Sequence, residues 1–374
     1  MKNVLSIVSY QFLPAKMGGQ KGIAFFNRFF SKQVNLTCVT TINNNANFAD
    51  GYDLLTILSS SKIRYINLFY FFRIKKIIQQ KGITHLLLEH PYYGWLGILI
   101  QRFCKVTLIV HAHNIESLRF KSTGKWWWRI LAFYEKWTFK NADICFFIND
   151  EDKAYAITHF IIAPQKCITI PYGFELDRIP SAQEKLDAKN FLRMKYAIAA
   201  DEKILLFNGT LNYKPNLDAI DVILEKINPI LLKNPGFKYK LIICGKDLPR
   251  SYQELAAYKN RNIVYAGFVD DIIPYFKGAD IFINPVIDGG GIKTKLVEAL
   301  GYNLDVVTTA EGAAGVPINI TGNKMSVIRQ SNWESFAQKI INSGNAAGNI
   351  PAAFFEHFYW EEIAKKAAKI ITNN

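Results

Sequence analysis

Short apolar runs of strand length recur along the chain, separated by stretches long enough to hold a helix, and this alternation limits the fold more than any other feature. Seven runs come first: Val4–Val8, Leu36–Thr40, Leu54–Leu58, Leu86–Glu89, Thr107–His111, Ile144–Ile148 and Ile168–Pro171. Six more follow: Ile204–Phe207, Tyr239–Cys244, Ile263–Tyr265, Ile281–Asn284, Val306–Thr308 and Ser326–Ile328. Near-continuous apolar runs suit strands buried on both faces, and parallel strands need a crossover between them, usually a helix. The pattern predicts an α/β fold with doubly wound, largely parallel sheets. Between the two series, the segment from Ile170 to Pro180 is bracketed by proline and glycine and marks a domain boundary. At 374 residues, half of them apolar, the chain can bury two cores. We read Rossmann-like domains over 1–175 and 176–350, and 351–374 as a terminal amphipathic helix packing back on the first domain.

Ligands of open parallel sheets bind beyond the carboxyl ends of the strands, so the loops there hold the candidate site residues. The most informative follows Ile281–Pro285: Gly289-Gly290-Gly291, then Lys293, Lys295 and Glu298 at helical spacing. Consecutive glycines let backbone N–H groups close around an anion, and a helix N-terminus adds partial positive charge. Two lysines and one carboxylate there would suit a diphosphate and a pair of sugar hydroxyls. Gly18-Gly19 follows the first strand, Gly209 ends another, and Lys214 stands near the start of the next helix. Gly245 and Gly267-Phe268-Val269 end two more. The run Thr107–His111 delivers His111, His113, Asn114, Glu116 and Arg119 into a crevice. Histidines at i and i+2 are expected to face opposite sides and so not to share a metal. Glu135 and Asn149-Asp150-Glu151 read as structural, the latter as a helix cap.

The formal charge of +14 invites nucleic acid, an anionic membrane or a phosphorylated small molecule. No nucleic-acid motif accompanies it, so no nucleic-acid partner is expected. Segments 62–81 and 119–140 interleave Lys and Arg with Phe, Tyr and Trp and read as two basic, aromatic-rich helices, suited to a membrane surface or to a core with a solvated face. Five scattered cysteines without C-x-x-C spacing argue against a disulfide framework and a zinc site, and point to a reducing cytoplasm. No apolar stretch approaches the ~18 uninterrupted residues of a spanning helix.

Taken in order, Gly18-Gly19, HNIESLR (113–119), EKWTFKNADICFFIND (135–150), IPYGFE (170–175), LLFNGTLNYKPNLDA (205–219), NIVYAGFVDDI (262–272) and PVIDGGGIKTKLVEALGYNLDVVTT (285–309) resemble the retaining "group 1" glycosyltransferases over almost the whole chain. That resemblance implies the GT-B architecture, two facing Rossmann-like domains with a cleft between them. It also implies transfer of a sugar from a nucleotide-sugar to a hydroxyl on a glycan or lipid-linked acceptor, with retention. His113 would lie near the sugar, Lys214 and Lys295 would neutralise the diphosphate, and Glu298 would bind ribose hydroxyls. Gly18, Gly19, Gly209, Gly289, Gly290, Gly291 and Lys293 would line the donor, with Phe268 and Val269 bordering its base. No metal or other cofactor is implied. The implied setting is cell-surface glycan or polysaccharide synthesis in the cytoplasm, as a peripheral protein on the inner membrane face that meets anionic lipid. Two positions depart from the family pattern: Gly290 stands where many relatives carry a glutamate, and Thr210 where an arginine is commoner. They keep open a catalytically silent module that binds a glycan or a partner, and a nucleotide-sugar epimerase.

Overall fold

The computed structural model describes residues 1–16, 18–289, 291–329, 332–343 and 348–373. The chain forms two units, Met1–Glu175 with His357–Asn374, and Leu176–Glu356.

The first unit is built on a seven-stranded sheet of β1 (Asn3–Val8), β2 (Asn35–Thr41), β3 (Asp53–Leu58), β4 (His85–Glu89), β5 (Thr107–Ala112), β6 (Ile144–Phe147) and β7 (Cys167–Thr169). Their order is β3-β2-β1-β4-β5-β6-β7, and every pairing is parallel. The central strands are buried along their length, because helices cover both faces. One layer packs the helices Phe69–Lys81 and Gly94–Cys104 against Leu86, Leu88, Leu108 and Val110. Trp360 opens the last helix, Trp360–Asn373, and sits against Phe25 and Tyr172; a Cβ on Gly173 would overlap its indole.

The second unit has six strands, β8 (Lys203–Asn208), β9 (Tyr239–Cys244), β10 (Ile263–Gly267), β11 (Ile281–Asn284), β12 (Asp305–Thr309) and β13 (Met325–Ile328). They run parallel in the order β10-β9-β8-β11-β12-β13. The helix Ala182–Tyr196 opens this unit, with Ser181 and Glu184 forming a reciprocal capping box.

Three helical expectations change. Segment 119–140 is two helices, Glu116–Ser122 and Trp128–Asn141, parted at Gly124, whose φ of 70° no helix accepts. Segment 62–81 is a 3₁₀ turn, Lys62–Ile66, followed by the helix Phe69–Lys81, which ends on Gly82 in the left-handed region. The terminal stretch breaks at Tyr359, where the backbone leaves the helix to pair with Phe174.

Candidate active site

Strand order reverses between β1 and β4 in the first unit and between β8 and β11 in the second, and the carboxyl end of such a reversal is where an open sheet leaves a crevice. Both reversals carry buried polar groups.

In the second unit the turns after β8, β9 and β10 are laced together. Gly209 N–H donates to Cys244 O at 3.1 Å, Gly245 N–H to Gly267 O at 2.8 Å, and Leu211 N–H to Lys246 O at 2.8 Å. A Cβ on Gly245 would overlap Gly209 O, so this approach needs glycine. Gly209 in turn makes room for Asn216, whose Nδ2 would lie 2.6 Å from a Cβ there and donates to Thr210 O. From across the reversal comes the 286–293 loop, with Gly289 at φ 105° and Gly291 at φ 74°, both in the region that favours glycine. A Cβ on Gly289 would touch Pro215, so this loop meets the first turn of the helix Lys214–Val222. Gly290 lies outside the described residues.

Lys295 is the pivot of this edge. It is the second residue of the helix Thr294–Gly301 and 9% exposed. Its Nζ donates to Asn208 O at 3.1 Å and Asn216 Oδ1 at 3.0 Å and lies 4.3 Å from the centre of the Phe207 ring. Among the described residues no carboxylate pairs with it. Burial, and then the nearby Lys293, lower its pKa from 10.5 to about 7. Two amide oxygens at the strand ends, Asn208 Oδ1 and Asn284 Oδ1, are also buried without a hydrogen-bond partner. A desolvated ammonium at a sheet reversal suits an anion, and the unfilled acceptors suit hydroxyl or N–H donors of the same ligand.

The other expected residues divide. Lys293 turns back on its own loop, donating to Gly289 O at 2.6 Å and Gly291 O at 2.8 Å, and so clasps the glycines. Lys214 is exposed and pairs with Asp218 at 2.6 Å, one helical turn on. Glu298 is half-buried one turn beyond Lys295. Phe268 and Val269 follow the edge strand β10, where they line a shallow pocket of about 330 Å³ with Phe191, Lys195 and Tyr275.

In the first unit, Gly18 and Gly19 open the helix Gly18–Phe30, and a Cβ on Gly19 meets nothing within 4 Å. The fold therefore does not require glycine at position 19. Phe26 of that helix packs on His111, ring centres 5.1 Å apart. His111 and His113 share one face, contrary to the expectation above, because side chains two apart on a strand point the same way. Both converge on Glu89 Oε2, His113 Nε2 at 2.6 Å and His111 Nδ1 at 3.1 Å, the latter without hydrogen-bond geometry. A carboxylate only accepts, so His113 Nε2 carries the proton. The donor atoms of the three residues fall within 4.8 Å of one another. The 2.6 Å contact nonetheless matches a hydrogen bond better than two neighbouring ligands of a tetrahedral metal, about 3.3 Å apart. Burial works against the charge of Glu89, but the imidazoles beside it, His111 foremost, prevail and hold its carboxyl far below the usual range.

Next to this group, Glu116 takes Tyr92 O–H at 2.7 Å and Arg119 Nε–H at 2.8 Å. Glu135 accepts Glu116 N–H and Ser117 N–H, each at 2.8 Å, and so caps the helix Glu116–Ser122 from a neighbouring helix. Burial raises its pKa to about 7. Asn149 caps its own helix by accepting Asp152 N–H. Sequence reading passed over Tyr10, Glu89, His90 and Asn216. The signal for Glu89-His90 was a charged and a polar residue directly ending an apolar run.

Two doubly wound parallel units, each with polar side chains gathered at its strand-order reversal, define a protein of the GT-B class. The profile described as "Glycosyl transferases group 1" matches residues 202–343, and that described as "Glycosyltransferase Family 4" matches 46–178. The chain belongs to these glycosyltransferases. An uncharacterized glycosyltransferase, MJ1069 of Methanocaldococcus jannaschii, is 27% identical over 285 residues, 72% of this chain and 69% of the relative. Sucrose-phosphate synthase from Thermosynechococcus elongatus shares the fold at TM-score 0.75 and 15% identity, covering 100% of this chain and 99% of the other. Anabaena HepE in complex with UDP-glucose does so at TM-score 0.71 and 14% identity, with 100% of both chains covered.

Proposed function

We propose that this glycosyltransferase takes its sugar from a nucleotide-sugar and transfers it with retention to a hydroxyl of a lipid-linked or cell-surface glycan. Lys295 carries the reading: a buried ammonium with no carboxylate partner among the described residues is a poor structural element but a ready counter-charge for a diphosphate. When the glycosidic C–O bond breaks, negative charge grows on the leaving phosphate. An ammonium already desolvated stabilises that charge with little reorganisation. His113, Glu298 and the glycine loops take the roles that family membership suggests, and the diphosphate deprotonates the incoming hydroxyl, so no metal is required. Because HepE was solved with UDP-glucose, uridine donors come first in testing. The test is nucleoside diphosphate release and the anomeric coupling of the new linkage, with Lys295→Ala and Glu298→Ala as controls. Retained configuration, and turnover lost in both variants, is expected; an inverted product, an epimerised donor or unchanged turnover in the variants contradicts the reading.

A lipid-linked acceptor is favoured by the surface of the first unit. Phe69, Phe72, Phe103, Trp126, Ile130 and Phe133 are each at least 65% exposed, on and beside three helices that pack side by side. Lys75, Lys76, Lys121 and Lys125 accompany them. No helix among the described residues is long and apolar enough to cross a membrane. We propose that this face rests on the anionic inner leaflet of the cytoplasmic membrane, rings at the interface and cations among the headgroups.

A further inference from the structure

His90 stands directly after β4 with φ 72° and ψ 156°, a backbone region that a Cβ makes costly and that is essentially reserved for glycine. A glycine would make this turn without strain, yet the chain holds a buried imidazole here. The ring makes one hydrogen bond, between its Nε2 and Tyr10 O–H of the loop after β1 at 3.0 Å, and its Nδ1 lies 3.3 Å from Glu116 Oε1 without hydrogen-bond geometry. One face covers Tyr92 with ring centres 5.4 Å apart, and His113 stacks at 4.5 Å and 28°. His113 also meets His111, with ring centres 4.5 Å apart and planes tilted by 39°.

His113 is thus the middle ring of three, pinned by a single hydrogen bond to Glu89. One bond leaves a ring free to pivot about it; the two imidazoles packed against it resist that motion. We infer that His90 is a positioning residue, its imidazole held by the Tyr10 hydrogen bond and by packing on Tyr92, so that His113 keeps Nε2–H on Glu89 and presents its Nδ1 lone pair to a hydroxyl of the transferred sugar. Burial keeps both His90 and His113 below the usual histidine range, in agreement with a neutral His113 that can accept. The strained turn follows: no unstrained residue at this place carries an imidazole. Only the last step, the sugar hydroxyl, rests on the function proposed above.

The test compares His90→Gly with His90→Ala. Both lose the ring, but only glycine relieves the backbone, so His90→Gly is expected to melt above His90→Ala, the reverse of the usual order of these residues. Both should lose kcat on the order of 10- to 100-fold, with the donor KM changed by about threefold or less, as for a displaced reactive group. Added imidazole should restore part of the lost rate in His90→Gly by refilling the space. The ¹⁵N spectrum of His113 should show the single Nε2–H tautomer in the wild type and a mixture in both variants. Wild-type kcat in His90→Gly, or a His113 spectrum unmoved by either variant, overturns the proposal, as does His90→Ala melting as high as His90→Gly. If the wild type releases no diphosphate from any nucleotide-sugar, the functional reading fails instead, and the melting order and the His113 spectrum still decide the role of His90.

Discussion

Replacing Lys295 by methionine should make the ligand-free protein more stable at neutral pH. Burial takes the ammonium from 10.5 to about 7, whereas unfolding returns it to its ordinary value. Proton linkage then sets the burden of folding with this lysine at about 4 kcal/mol at pH 7. Methionine fills the same channel with a flexible apolar chain. It leaves Asn208 O and Asn216 Oδ1 without their donor, a loss of about 1–3 kcal/mol. The balance is a gain of about 1–3 kcal/mol, with roughly 2–4 °C in the melting temperature of the 176–356 unit for each kcal/mol. The sign with pH is fixed. A lysine whose folded pKa is depressed leaves the unfolded state binding more protons, so wild-type stability rises from pH 7 towards 10.5 and the advantage of methionine fades. Urea denaturation of both proteins at pH 7 and pH 10 measures this. A variant less stable than wild type by the same amount at both pH values would refute the idea that Lys295 is buried as an uncompensated cation.

Donor binding above pH 7 should take up a proton, because a diphosphate beside Lys295 restores its charge; calorimetry at pH 8 in buffers of different ionisation enthalpy reads the uptake directly. Gly245→Ala should destabilise the second unit by several kcal/mol, since its Cβ overlaps a backbone oxygen. Gly19→Ala, with open space around the new Cβ, should leave the melting temperature within about 1 °C and depress turnover, as expected if the donor approaches this backbone. On vesicles containing anionic lipid, Phe69→Ser with Phe133→Ser should lose most cosedimentation; binding unchanged by this pair and by charge reversal of Lys75, Lys76, Lys121 and Lys125 would show that the patch is not the contact.

Strand positions were legible because parallel strands buried on both faces must be apolar runs, whatever the sequence between them. Helix breaks were not, since Gly124 and Tyr359 interrupt patterns that are otherwise continuous, and one backbone torsion decides the matter. In the loop after β11, glycines and lysines could be read but not their division of labour. Nothing local separates Lys293, folded onto its own loop, from Lys295, buried across the strand-order reversal against Asn216. The cluster in the first unit was half visible. His113 and Glu116 lie in one motif, but their partners Glu89, His90 and Tyr10 come from loops after other strands and meet only through sheet order. His111 and His113, two apart at the end of β5, share a face and so both reach Glu89.

The central claim is that a nucleotide-sugar diphosphate sits on Lys295. Titration of wild type and Lys295→Met with a panel of UDP-, GDP-, ADP- and TDP-sugars, followed by calorimetry, tests it most directly. The account predicts that one nucleotide class binds the wild type and that its affinity falls at least about tenfold in the variant, the scale of one charge-assisted contact. Equal affinity in the two proteins, or no binding of any nucleotide-sugar to the wild type, would contradict it.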